Sequence, residues 1–369
     1  MIEIIPANWY GIIFLSLSFI FTVIYYNQVK GEEVWDYTHK RSWGIMYLYA
    51  MAFIVVVGLR PLSGVNFGDT VNYAHSYLQL VGNPIGDTLQ ESEWIFNGLM
   101  WFCAQIMPVQ YFFLLIEILY VLPIVYASKK LAPNYPDVML LFNMTAFSFF
   151  TYGTNGIRNG MACSLMILAL AFMNDKTTRG KVVAILLAYV AYGCHKSTAL
   201  PILCMVFCLF FKNTKVAITF WVLSIFISLV AGDAVESFFT GLGFDDRMES
   251  YSSDNINENL FSHTGFRWDF LLYSFMPIWL GWYIVYKRNI RHDMYSYLLN
   301  SYILCNSFWV MMIRASYSNR FAYLSWFLYP VVLAYPLLKF PVFETNNKQK
   351  VALILLAHTA FTIIMSFKS

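Results

Sequence analysis

The sequence predicts an all-α polytopic membrane protein of about twelve transmembrane helices, and three observations carry that prediction. Of its 369 residues, 59% are hydrophobic and only 12% are charged, a balance too apolar for a soluble domain. Apolar stretches near the length of a bilayer crossing recur from one end of the chain to the other. Loops rich in lysine alternate with loops that carry arginine but almost no lysine, as expected when cytoplasmic loops gather positive charge.

The apolar stretches lie near 9–27, 43–59, 109–127, 138–153, 157–174, 182–194, 198–211, 216–231, 269–286, 295–313, 321–338 and 351–367. With both termini outside, the inner loops hold Lys30, Lys40 and Arg41, then Lys129 and Lys130, then Lys176, Arg179 and Lys181. They continue with Lys212 and Lys215, with Lys287, Arg288 and Arg291, and with Lys339, Lys348 and Lys350. The first stretch follows Glu3 and is not succeeded by a small-residue cleavage site, so it reads as a retained span. Cys103, Cys163, Cys194, Cys204, Cys208 and Cys305 sit in apolar helical context without zinc-site or disulfide-framework spacing. They read as small buried residues.

Two outer loops are long. The loop at 60–108 contains GVNFGDTVNYAHSYL and then ESEWIFNGLMWFCAQIM. The apolar part of the second segment is too short to span and suits a helix lying at the outer interface. The loop at 232–268 is polar, with turn formers and embedded aromatics, and reads as a lid. With no separate soluble domain, low-complexity tract or internal repeat, residues 1–369 form a single integral-membrane domain in this reading.

Against the charge pattern, Arg60, Arg158, Arg247, Arg267, Arg314 and Arg320 fall at outer span ends or in outer loops. Topology does not explain them. A guanidinium grips phosphate or carboxylate in a two-pronged fork, so an outer ring of arginines suggests a site for an anionic, phosphate-bearing substrate.

Three clusters hold candidate chemistry. In GLRPLSGVNFGDTVNYAHSY, Arg60 ends a span, and Gly64 and Gly68 permit a close backbone approach around Asp69, with Tyr73 and His75 following. Asp69 could bind a sugar hydroxyl and take its proton. It also stands where an N-cap should, ahead of an apolar-periodic run. In YGTNGIRNGMACSLMILAL, Arg158 starts a span beside Asn155, Asn159 and Gly160, which suggests a polar pocket, although an arginine there could merely snorkel. In YGCHKSTALP, His195 and Lys196 emerge together in an outer hairpin. His195 is a candidate general base or acid near neutral pH, against the commoner structural role of a lone histidine. Arg247 and Arg267 in the second long loop, and Arg314, Tyr317 and Arg320 in IRASYSNRF, are further candidates for binding a diphosphate. Glu117, inside a span where an unpaired carboxylate is costly, is either partnered within the bundle, the favoured reading, or functional. No Walker loop, dinucleotide fingerprint, HExxH or nucleophile elbow is present, so nucleotide chemistry has no support.

Taken in order, these clusters resemble the EpsG-type and Wzy-type polysaccharide polymerases. The matching residues are Arg60, Gly68, Asp69 and Tyr73, then Ile157, Arg158, Asn159 and Gly160, then His195, Lys196 and Ser197. The segment ESEWIFNGLMWF resembles that family's short outer helix, and Asn159 stands where the family more often has Gln. The resemblance implies a glycosyltransferase of GT-C-like architecture in the bacterial cytoplasmic membrane, with its active site on the extracytoplasmic face. It implies transfer of an undecaprenyl-diphosphate-linked oligosaccharide to the free end of another lipid-linked repeat unit. Asp69, favoured as the base because its glycine-flanked loop leaves space for a sugar, would be catalytic with His195 and Arg158, and the remaining arginines with Tyr73, Asn159 and Lys196 would hold the diphosphate. Neither a cofactor nor a metal is expected. The partners implied are the lipid-linked donor and acceptor, membrane lipids and a candidate chain-length regulator protein, but no nucleic acid. A flippase of lipid-linked oligosaccharide and a membrane acyltransferase acting on glycans remain the rival classes. A flippase would place its charges near mid-bilayer rather than at one face.

Overall fold

The computed structural model describes residues 5–30, 44–86, 92–175, 177–241, 266–314 and 318–368, and no β-strand occurs among them. The helices are α1 (Trp9–Val29), α2 (Gly44–Gly58), α3 (Gly64–Phe67), α4 (Thr70–Leu80), α5 (Trp94–Ile106), α6 (Val109–Leu131), α7 (Pro136–Met144) and α8 (Phe147–Thr154). After them come α9 (Ile157–Met173), α10 (Thr178–Cys194), α11 (Ala199–Phe210), α12 (Thr214–Gly241) and α13 (Trp268–Trp282). The last are α14 (Asp293–Met311), α15 (Ser318–Trp326), α16 (Tyr329–Lys339) and α17 (Asn347–Lys368).

This is a helical membrane protein. Among the described residues, five stretches are long and apolar enough to cross a bilayer: Trp9–Val29, Val109–Leu131, Thr214–Gly232, Phe321–Lys339 and Asn347–Phe367. Gly44–Gly58, Ile157–Met173 and Lys196–Phe210 are shorter apolar helices. Apolar side chains such as Ile20, Leu48, Ile185, Phe210 and Leu223 stay uncovered, as lipid-facing positions do when the solvent is hydrocarbon.

Two sequence expectations need correction. The span at 138–153 is two short helices, α7 and α8, broken at Thr145. The Thr145 hydroxyl donates back to the Leu141 carbonyl at 2.8 Å. The Thr145 carbonyl is taken by the Thr362 hydroxyl of α17, also at 2.8 Å, so the break leaves that backbone oxygen satisfied. The span expected at 321–338 matches the stretch Phe321–Lys339, with a turn after Trp326 where the Ser325 hydroxyl donates to the Ala322 carbonyl at 2.9 Å. Finally, 232–241 is helix rather than loop. Non-helical geometry at Ala231 kinks α12 there, and the helix resumes. The rest of the expected lid, 242–265, lies outside the described residues.

The chain divides into two compact units, one of Met1–Lys196 with Ala334–Ser369 and one of Ser197–Leu333. In the first unit, α9 packs between α6 and α10, α2 lies along α6, and α1 lies along α17. Phe14 anchors an aromatic group there with Tyr49, Phe53, Phe149 and Phe150. In the second unit, α14 packs against α11, α12, α13 and α15. Polar ties hold these helices: Trp221 Nε1 donates to Asn306 Oδ1 at 2.7 Å, and Asn306 Nδ2 donates to Ser325 Oγ at 3.0 Å. Without a hydrophobic drive between helices in lipid, such bonds and close packing fix the arrangement.

Candidate active site

Four segments of the first unit converge: the turn into α4, the start of α5, the turn between α8 and α9, and the end of α10. Gly68 sets the first of them. Its backbone lies at φ +51° and ψ −117°, a region essentially reserved for glycine. A Cβ there would fall 2.3 Å from Asn155 Oδ1, the atom that accepts the Asp69 amide N–H at 2.9 Å. The Gly-Asp pair is therefore clamped to the α8–α9 turn. Gly64 has no such role, since a Cβ there would meet only Val71 Cγ2 at 3.7 Å.

Asp69 occupies the N-cap position of α4, but its carboxylate makes no capping hydrogen bond. Instead Asn72 Nδ2 donates to Oδ1 at 3.2 Å. One turn on, the Tyr73 hydroxyl accepts from Arg158 Nε at 3.1 Å. Burial raises the Tyr73 pKa above the ordinary phenol value, and the pull of Arg158 offsets part of the rise, so the ring stays a neutral phenol. Asp69 also lies near enough to act electrostatically on both Tyr73 and Arg158.

At the centre is Glu93, the residue before α5, only 6% exposed. One oxygen of its carboxylate accepts from Arg158 Nη1, and the other pairs with His195 Nδ1. An ionised carboxylate only accepts, so His195 Nδ1 carries the hydrogen of this contact. Arg158, second residue of α9, also lies 5.5 Å from the Tyr73 ring centroid and 5.9 Å from that of Phe96. Its Nη2 makes no hydrogen bond among the described residues. Gly160 lets α9 approach α8, because a Cβ there would lie 2.6 Å from the Tyr152 carbonyl oxygen. His195 itself is the extended residue that ends α10, and Lys196 follows in a 3₁₀ turn.

The structure therefore brings together Asp69, Tyr73, Arg158 and His195, with Lys196 adjacent in the chain. Other candidates fall elsewhere. Arg60 is buried, with 1% exposure, and pairs with Glu117 at 3.4 Å, as the sequence reading expected for Glu117. Asn159 turns along its own helix, where its Oδ1 accepts from the Cys163 thiol at 3.1 Å. Arg267 forms a two-pronged pair with Asp269, both bonds at 3.0 Å, over the Phe270 ring. Arg267 and the exposed Arg314 belong to the second unit. Arg247, Tyr317 and the side chain of Arg320 lie outside the described residues.

Of the six outer arginines expected from sequence, Arg60, Arg158 and Arg267 are held in pairs within their own units. Sequence reasoning missed Glu93. The signal available was an acidic residue set directly before an aromatic interfacial helix, in a loop that also holds Asp69.

The model of the EpsG family matches residues 45–369, a range that holds every residue of the cluster. No curated protein and no solved structure matches the chain. The chain belongs to the EpsG family, a family of Wzy-type polysaccharide polymerase-like membrane proteins.

Proposed function

We propose that this protein is a glycosyltransferase of GT-C-like architecture, a single integral-membrane domain of about twelve spans in the bacterial cytoplasmic membrane. It joins undecaprenyl-diphosphate-linked oligosaccharide repeat units into a surface polysaccharide at the outer face. The observation that carries this reading is the Glu93 carboxylate shared by Arg158 and His195, beside Asp69 and Tyr73. It is a carboxylate–histidine pair set next to a guanidinium, in a chain of this family.

In the mechanism this supports, Glu93 fixes the tautomer of His195, as the acid does in a catalytic triad. His195 Nε2 removes the proton from the acceptor sugar hydroxyl. The freed oxygen bonds to the anomeric carbon of the donor sugar as the bond from that carbon to the diphosphate oxygen breaks. Undecaprenyl diphosphate leaves with the electron pair. Arg158 Nη2 and Lys196 supply positive charge to the leaving diphosphate, and Asp69 accepts a hydrogen bond from the acceptor sugar. The sequence alone favoured Asp69 as the base, and the contact between Glu93 and His195 is what moves the assignment. Chain length would be set by a separate regulator acting on this enzyme.

Cells lacking the protein test the reading. They should accumulate carriers bearing one repeat unit, exposed at the outer face. Single-repeat carriers confined to the inner face would instead make the protein a translocator. Polymer of normal length lacking an acyl group would make it an acyltransferase.

A further inference from the structure

Arg60 is the most deeply buried cation among the described residues of the first unit, and its bonds run toward the candidate site without entering it. Nη1 donates to the Val57 carbonyl at 2.8 Å and to Glu117 Oε1 at 3.4 Å. Nη2 donates to the Thr154 carbonyl at 2.9 Å and to Thr70 Oγ1 at 3.3 Å. The Thr70 hydroxyl in turn lies 2.9 Å from the same Thr154 carbonyl and 3.0 Å from that of Phe67. Phe113 and Phe67 flank the guanidinium at 5.1 and 5.7 Å.

Thr70 and Thr154 each adjoin a residue of the site. Asp69 precedes Thr70, Asn155 follows Thr154, and those neighbours are bonded to each other through the Asp69 amide. Two parallel ties therefore hold the turn into α4 against the turn into α9, one at the site and one a residue deeper, where Arg60 grips both sides. Glu117 keeps the guanidinium charge paired in an interior where an isolated charge is costly. A planar donor fork can hold a carbonyl and a hydroxyl together, while an ammonium has no fixed fork.

From this geometry we infer that Arg60 is a positioning residue, which sets Asp69 against Asn155 and Arg158 from beneath and makes no contact with substrate. The inference rests on the polymerase reading for its kinetic consequences. It excludes the role that the sequence suggested for Arg60, a ligand of the diphosphate.

The test compares wild type, Arg60→Lys, Thr70→Val and the double variant in proteoliposomes supplied with a synthetic lipid-linked repeat unit. Each single variant should lower kcat per folded molecule by about 10- to 100-fold, since misplacement of about 1 Å costs this much. KM should stay within about threefold, and the double variant should be no slower than the worse single one, because both cut one path. The near-isosteric Thr70→Val carries the test if Arg60→Lys folds poorly. In either variant, hydrogen exchange at the Asp69 amide should quicken about tenfold, a displacement of about 1.4 kcal/mol in the opening equilibrium. A raised KM with unchanged kcat would make Arg60 a ligand. Unchanged kcat per folded molecule with unchanged exchange would reduce it to a stability element. A wild-type protein that forms no polymer, while exchange still quickens in the variants, would sink the polymerase reading and leave the positioning role standing.

Discussion

Replacing Gly68 with alanine isolates the geometry of the site from its chemistry, because no reacting group is touched. Two costs follow from the structure. The backbone at φ +51° and ψ −117° is strained for any residue with a Cβ, by about 1–3 kcal/mol. The new methyl would also sit 2.3 Å from Asn155 Oδ1, so Asn155 must withdraw from the Asp69 amide and forfeit a hydrogen bond of about 0.5–1.5 kcal/mol. Together these come to about 3 kcal/mol against the native turn, which corresponds to about a 100-fold loss of correctly placed Asp69. Glycosyl transfer per folded molecule, measured in proteoliposomes with a synthetic lipid-linked repeat, should fall by that order. Gly64→Ala, four residues earlier, introduces a methyl in ordinary contact with Val71 and should stay within about twofold. Equal activity of the two variants would refute the claim that the Gly68–Asn155 clamp places Asp69.

Other expectations follow from the same cluster. Arg158→Lys should recover little of the activity lost in Arg158→Ala, because one ammonium cannot serve Tyr73, Glu93 and the leaving diphosphate at once; full recovery would make Arg158 an interfacial anchor. His195→Gln should abolish turnover, while Asp69→Asn, which keeps size but loses charge, should lower kcat by about 10- to 100-fold with KM little changed; a dead Asp69→Asn beside an active His195→Gln would return the role of base to Asp69. Single cysteines at Asp69 and His195 in a cysteine-free background should react with an impermeant thiol reagent added outside intact cells. Reaction only after permeabilisation would invert the topology.

The sequence announced the class of fold and most of the site, for physical reasons that differ between elements. Long apolar helices such as α1, α6 and α17 are legible because crossing hydrocarbon demands an unbroken apolar run. The break at Thr145 is not, since it depends on Thr362 reaching across from a distant helix to take a carbonyl. Gly68 before Asp69 could be read locally, because only glycine tolerates that backbone. Gly64 looked the same in sequence and differs only in what lies beside it. The partners of the arginines depended on distant chain segments. Arg60 meets Glu117 and Arg158 meets Glu93, pairings that no local pattern announces. Glu93 was hidden for the same reason: its place before an aromatic helix is only a faint local mark, and its role comes from Arg158 and from His195, 102 residues away.

Turnover of purified Glu93→Gln tests the central claim most directly. Glutamine keeps the shape of the side chain but cannot hold Arg158 and His195 by charge, and its amide can meet His195 in the wrong tautomer. Wild-type protein given only lipid-linked repeat units should produce a ladder of longer lipid-linked chains and release one undecaprenyl diphosphate per bond formed. In Glu93→Gln the rate should drop on the order of 10³- to 10⁴-fold, as when a catalytic histidine loses its orienting carboxylate, with the protein still folded. A folded Glu93→Gln protein that polymerises at the wild-type rate would contradict the account.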